Sequence, residues 1–169
     1  GQLPSLLNMK LDSKYLVTYF PWVLVSTQSV ANSEQWMPPS IAAIPAIIAN
    51  DKSNGHTFGA PAGKYAKLST INDIAYYLTE EDKGRVYDDN IGNNINPIVY
   101  TSRQGFFIDG QKTTQRERNA YNRINVMRVS LFMKRKLMDI VPNFFYGPII
   151  KDTKDDFDAV IKKEIMEPL

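Results

Sequence analysis

The spacing of hydrophobic positions changes several times along the chain, and each change marks an element. Residues 15–25 are dense in β-branched and aromatic side chains and short enough for one strand, with Pro21 marking a bulge or an edge position inside it. Residues 26–35 are polar and read as a loop. Pro38-Pro39-Ser40 then opens a helix for which Ser40 can serve as the cap, and Ile41, Ile44, Ile47 and Ile48 recur at the spacing of one buried stripe. Pro45, at the sixth position, demands a kink or a late start. Residues 51–55 and 59–63 are turns by composition.

In residues 71–78, Ile71, Ile74, Tyr76 and Leu78 suit a strand. Thr79-Glu80-Glu81-Asp82 is a capping-box pattern with acids where the helix dipole favours them, so a short helix should run to about Tyr87. The Asn/Asp/Gly-rich residues 88–96 follow as a loop. Residues 98–100 and 105–108 read as two strands joined by 101–104, the second ending at Asp109-Gly110. From about Asn122 the period is helical: Ile124, Met127, Leu131, Met138 and Val141 form one stripe, with Val126, Val129, Met133, Leu137 and Ile140 beside it. So wide an apolar face predicts a helix well buried against a sheet, ended by Pro142. After a loop over 143–151, Phe157, Val160, Ile161 and Ile165 define a last amphipathic helix whose opposite face carries Asp155, Asp158, Lys162 and Lys163. Interleaved strands and helices place the fold in the α/β class, with α+β as the other option: a two-layer mixed β-sheet packed by helices.

Composition sets limits without adding elements. The 169 residues are 43% hydrophobic and 22% charged, which fits a single domain with a core of its own. The absence of cysteine excludes disulfide frameworks, thiolate metal sites and cysteine nucleophiles. A net charge of +2 is too small to announce a nucleic-acid partner, but the charge is unevenly spread. Between Asp73 and Asp89 six acids (Asp73, Glu80, Glu81, Asp82, Asp88, Asp89) face Lys83 and Arg85. Between Lys112 and Asp139 eight bases (Lys112, Arg116, Arg118, Arg123, Arg128, Lys134, Arg135, Lys136) face Glu117 and Asp139. Such opposite segments serve as complementary surfaces within the fold or between copies. No apolar run approaches the ~20 residues needed to span a bilayer, so direct membrane insertion is not expected. The start, Gly1-Gln2-Leu3-Pro4, lacks the basic and apolar regions of a signal peptide. Both ends read as those of a piece of something larger.

Candidate chemistry is sparse, and no catalytic, cofactor-binding or metal-binding residue is assigned. Gly59-Ala-Pro-Ala-Gly63-Lys64 departs from a phosphate-binding loop by one residue between the glycines, by Tyr65 in place of Ser or Thr, and by a Pro that removes a donor. His56, the single histidine, has no second His or Cys to work with. Glu80 and Glu81 are adjacent at a helix start, where dipole capping accounts for them; a small hydrolase acting through Glu80, Glu81 or Asp82 is the enzymatic alternative. The basic stretch up to Lys136 carries only Tyr121 before Phe132, too few aromatics for a single-strand binding surface.

The order of the motifs carries more than any one of them. Pro21-Trp22, Pro38-Pro39-Ser40, Ala49-Asn50-Asp51, Gly55, Ala60-Pro61-Ala62-Gly63, Leu78-Thr79, Ile95-Asn96, Gly105 and Gly110-Gln111-Lys112-Thr113 are followed by Arg123-Ile-Asn-Val-Met-Arg128 and Pro142-Asn143. This collinear set, from about Tyr15 to Ile165, resembles the C-terminal half of contractile phage tail sheath proteins. The departures are Ile44-Pro45 where that family usually has Gly, and Val141 where an acid often precedes Pro-Asn. The resemblance implies a structural, non-enzymatic subunit without cofactors, the chain being a fragment of a larger multidomain protein. It implies stacking with other sheath subunits as hexameric rings in a helical array around a tail tube, above a baseplate, and contraction that drives the tube through the host envelope. The location implied is the virion tail, assembled in the host cytoplasm. In related sheaths the last helix of this region lies toward the tube, which here nominates Lys162 and Lys163 as tube-facing charges. Another virion or contractile secretion-system component (tube, baseplate, connector or type VI-like sheath) is the alternative.

Overall fold

A computed structural model describes residues 11–27, 33–54, 58–87, 94–148 and 150–167. His56, Gly55, residues 28–32 of the predicted 26–35 loop, and Asp88 and Asp89 lie outside the described residues. Among the described residues six strands form two three-stranded sheets. In the first, β1 (Thr18–Phe20) runs parallel to β5 (Ile95–Thr101), which pairs antiparallel with β6 (Gly105–Ile108). In the second, β2 (Val23–Thr27) lies between β3 (Ser33–Met37) and the two-residue β4 (Asp73–Ile74), all antiparallel. The helices are α1 (Ser40–Asn54), α2 (Glu80–Val86), α3 (Ile124–Ile140) and α4 (Lys151–Ile161), the last extended by a π-turn over Lys162–Met166. This is the mixed α/β arrangement of sheets packed by helices that the alternation of patterns predicts.

The main core lies between both sheets and α1. Val23 and Ile74 from one sheet, Ile98 and Ile108 from the other, and Ala42, Ala43 and Ala46 from α1 meet Ala66, Leu68 and Ile71. A smaller cluster of Phe20, Val86 and Ile95 seats α2 against β5. The outer edge of β6 is covered: the Leu68 N–H donates to the Phe106 carbonyl and the Ile108 N–H to the Ala66 carbonyl. Gly105 takes φ +75 at the start of β6, a conformation that a side chain would strain.

The structure corrects five expectations. The turn expected over 51–55 is helical as far as Asn54, the last residue of α1. The predicted strand over 15–25 is two strands in different sheets, divided at the buried Pro21, whose rigid ring and missing N–H cannot continue a ladder. The predicted loop over 26–35 yields β3 instead, an edge strand whose polar residues, including Ser33, Glu34 and Gln35, suit one exposed side. The strand expected over 71–78 shrinks to Asp73–Ile74. In α1 the buried residues are Ala42, Ala43, Ala46 and Asn50, while Ile41, Ile44 and Ile48 are 46%, 56% and 49% exposed. Small side chains let the helix approach the sheets closely; Ile41, Ile44 and Ile48 turn outward, and Ile47 is half-buried. Residues 41–43 donate to the Pro38 and Pro39 carbonyls, so Ser40 is already helical, and Pro45 sits on the exposed side, where the carbonyl it leaves unpaired can be solvated.

Candidate assembly interface

The residues that carry the family resemblance meet in space, and they meet as scaffold. Asn96, fully buried in β5, accepts from the Lys112 N–H at 2.7 Å and donates to the Lys112 carbonyl at 2.8 Å and the Thr18 carbonyl at 3.0 Å. One amide side chain thus ties β1, β5 and the segment after β6 as a short stretch of ladder would, leaving its buried polar atoms satisfied. Lys112 is itself buried; its ammonium donates to the Tyr87 carbonyl at 2.9 Å and lies 3.8 Å from the centre of the Tyr87 ring. Thr113 donates to the Asn122 carbonyl through its N–H and to the Tyr121 carbonyl through its hydroxyl. Arg128 of α3 forms a two-pronged ion pair with Asp51 at the end of α1, its Nη1 reaching Oδ1 at 3.0 Å. Burial of the Tyr19 phenol pushes its pKa up to about 12, against a smaller opposing influence of the Arg128 charge.

The acids of α2 are engaged in holding that helix. The Thr79 hydroxyl accepts from the Asp82 N–H and the Asp82 carboxylate accepts from the Thr79 N–H, completing the predicted capping box. Hydrogen bonds from Thr79 hold the Asp82 carboxyl below the usual carboxylate range. Glu80 pairs with Lys83 and Glu81 with Arg85, each at 2.6 Å. Nearby, a hydrogen bond from the Tyr77 hydroxyl at 2.7 Å lowers the Asp73 pKa. Gly59 packs against Asn50 and Asn54 at the end of α1, and the Lys64 ammonium lies 4.8 Å from the centre of the Tyr65 ring. Among the described residues no group of three or more His, Cys, Asp or Glu could hold a metal ion, and no helix is long and apolar enough to cross a membrane.

Lys162 and Lys163 are both exposed on the π-turn that follows α4. Their neighbours anchor that turn: Ile165 is buried, and Glu164 pairs with Lys136 of α3 at 3.3 Å. The fold therefore presents the two lysines from a fixed support. Sequence reasoning missed a larger feature. Only Ile124, Met127 and Ile140 of α3 are buried, against the expectation of a helix well covered by a sheet. Apolar width signals that a helix face will be covered, and is silent on whether the covering comes from the same fold.

No protein-family model matches the chain. Over 81 residues, 47% of this chain and 12% of the matched protein, it is 33% identical to the tail sheath protein of Vibrio phage KVP40. Among solved structures it is similar to a chain of the PVC sheath complex of an extracellular contractile injection system in its contracted state, with a TM-score of 0.76 and 22% identity over 93% of this chain and 41% of that one. A chain of the contracted helical sheath of the anti-feeding prophage gives a TM-score of 0.75 and 20% identity over 95% of this chain and 42% of that one. A chain of the six-fold symmetrised baseplate of the same particle gives 0.73 and 19% over 92% and 39%. The chain therefore spans about two fifths of the length of these solved chains. Across nearly all of its length it has the fold found in sheath and baseplate assemblies of contractile injection systems, and across about half of it a sequence similar to a phage tail sheath protein.

Proposed function

We propose that the chain is a single structural domain of a larger sheath subunit of a contractile injection machine, such as a bacteriophage tail, and that it does no chemistry of its own. The observation that carries this reading is the agreement of two independent likenesses: a shared fold with contracted sheath chains, and sequence similarity to a tail sheath protein. The clamp around Asn96 and Lys112 and the Asp51–Arg128 pair give what such a subunit needs, a body that moves as one unit while its contacts with neighbours change. In this reading subunits stack as hexameric rings around the tube above a baseplate, are assembled in the host cytoplasm, reside in the virion tail, and contract to drive the tube through the target envelope. Lys162 and Lys163 face the tube, as their exposure on an anchored turn allows.

A second reading, a component built into the baseplate, is favoured by the likeness to a baseplate chain of the anti-feeding prophage. Negative-stain electron microscopy of the complete parent protein, purified alone, separates the two. Hollow tubes of stacked rings are expected of a sheath subunit. Small monodisperse particles at high concentration count against it and move the assignment to another component. Charge reversal at Lys162 and Lys163 should impair assembly on tubes without unfolding the domain; unchanged assembly at physiological salt removes those two residues from the tube contact.

A further inference from the structure

One side of α3 faces an apolar groove of about 880 Å³, whose walls include Tyr121, Val126, Val129, Met133 and Leu137 and whose only charged lining residue is Lys134. Contiguous exposed apolar surface of this kind marks an interaction site. The groove begins where the described chain begins. The Asp12 carboxylate accepts from the Arg116 N–H at 3.1 Å, the Ser13 carbonyl from the Thr114 hydroxyl at 3.0 Å, and the Leu16 carbonyl from the Thr114 N–H at 2.9 Å. Followed back from Leu16 to Asp12, the chain therefore runs along 114 to 116, in the direction of the turn Ala120–Asn122. The Lys14 ammonium fixes it there, 5.0 Å from the centre of the Tyr121 ring, and Ala120 and Tyr121 form the end of the groove nearest the start of α3.

Residues 1–10 come next in that direction. Leu3, Leu6, Leu7 and Met9 are apolar, and no charged side chain precedes Lys10, a composition that matches a groove with a single charge in its lining. The reach also matches. Val126 to Leu137 spans about 17 Å along the helix at about 1.5 Å per residue, and the six steps from Met9 back to Leu3 cover up to about 20 Å. Because Asp12 and Lys14 already tether the segment beside Tyr121, laying it in the groove closes only a short loop, whereas a separate molecule would lose its free translation and rotation. We infer that residues 3–9 occupy the α3 groove of their own chain, with Met9 toward Val126 and Leu3 toward Leu137. Methionine suits the wall because its flexible thioether adapts to the side chains laid against it. The contact lies within one chain and goes beyond the reading of the subunit as sheath or baseplate. It makes the first residues a strap on α3, so that a pull on that end of the chain acts directly on the helix.

The chain has no cysteine, so an engineered disulfide tests this without competing thiols. One variant combines Leu6→Cys with Met133→Cys, inside the groove. The control combines Leu6→Cys with Leu131→Cys, which lines a separate groove of about 740 Å³ on the other side of α3; Leu131 and Met133 are 45% and 38% exposed, so access to the two is similar. Dilute protein is treated with oxidised glutathione and followed on non-reducing gels. Because a disulfide needs Cα atoms within about 7 Å, the groove pair should close an intrachain bond at least about tenfold faster than the control. Equal rates, no intrachain bond in either variant, or disulfide-linked dimers in its place overturn the inference, the last by showing a second copy in the groove. A second measurement needs no bond. Leu3→Ser with Leu7→Ser should raise the emission of an apolar-surface dye severalfold and speed amide exchange over residues 126–137, with an unchanged circular dichroism spectrum. Unchanged dye emission and exchange also overturn it. None of these outcomes bears on ring formation, so the sheath reading stands or falls separately, by microscopy of the parent protein.

Discussion

Replacing Asp51 by Asn, Arg128 by Met, and both together tests a link between α1 and α3 whose strength can be bracketed. The Arg128 and Asp51 side chains are 23% and 19% exposed, between a surface ion pair and a buried one. Exposed pairs contribute about 0–1 kcal/mol, and breaking a fully buried pair costs about 3–5 kcal/mol. Two parallel charge-assisted hydrogen bonds at about 1.5–3 kcal/mol each, reduced by roughly half for the remaining access of water, give a coupling of about 1.5–3 kcal/mol. Each single substitution should therefore cost about 2 kcal/mol, and the double little more than either, because the second removes a group already deprived of its partner. The midpoint of urea unfolding at pH 7 should fall with an unchanged slope, and the melting temperature should drop by about 4–8 °C. A coupling below about 0.5 kcal/mol would refute the argument, since Asp51 and Arg128 would then behave as surface charges.

Gly110→Ala places a Cβ 2.8 Å from both the Asn96 Oδ1 and a Tyr87 ring carbon, neither free to retreat, so it should destabilise by about 1–3 kcal/mol in the same urea assay. Thr79→Ala should cost on the order of 1 kcal/mol by removing the cap of α2. Because the Asp73 and Asp82 carboxyls titrate below their usual range in the folded protein, their contribution is complete above the ordinary carboxylate range and is lost as the pH falls through the lowered values. Urea midpoints measured down the acid limb should show this loss in wild type, and a smaller one in Asp82→Asn. For Tyr19, raised to about 12, the sign is opposite: its contribution is present below the ordinary tyrosine value and lost as the pH rises through about 12. Ultraviolet titration of Tyr19→Phe should accordingly match wild type until near that pH, and a difference near pH 10 would show the phenol to be exposed.

Signals confined to a few neighbouring residues were legible in the sequence. The Thr79–Asp82 box closes within one turn, and the β5–β6 hairpin pairs Thr101 with Gly105 across a short connection. Signals that depend on distant partners were not. The isoleucines of α1 and the alanines between them lie on different sides of one helix, and hydropathy ranks the larger side chains as core. Only the sheets it packs against, which leave room for Ala42, Ala43 and Ala46, decide otherwise. The strand pattern over 15–25 did not reveal that Pro21 divides two sheets, because β1 finds its neighbour at Ile95 and β2 at Met37. The candidate interface was legible in part. Lys162 and Lys163 are exposed, as an amphipathic last helix predicts, but the uncovered face of α3 looked like core, since an exposed apolar face has the same composition as a buried one.

The hydrogen bond from Asn96 to Thr18 spans 78 residues, and it accompanies the parallel pairing of β1 with β5. During synthesis at about 5–20 residues per second, β1 would leave the ribosome several seconds before the strand it needs. Over that interval Tyr19 and Phe20 have no sheet to join, and closing so long a loop must precede the contacts that reward it. Any contact that needs the finished sheet must therefore form after this closure, so the order of birth along the polypeptide holds such contacts back until the body is whole.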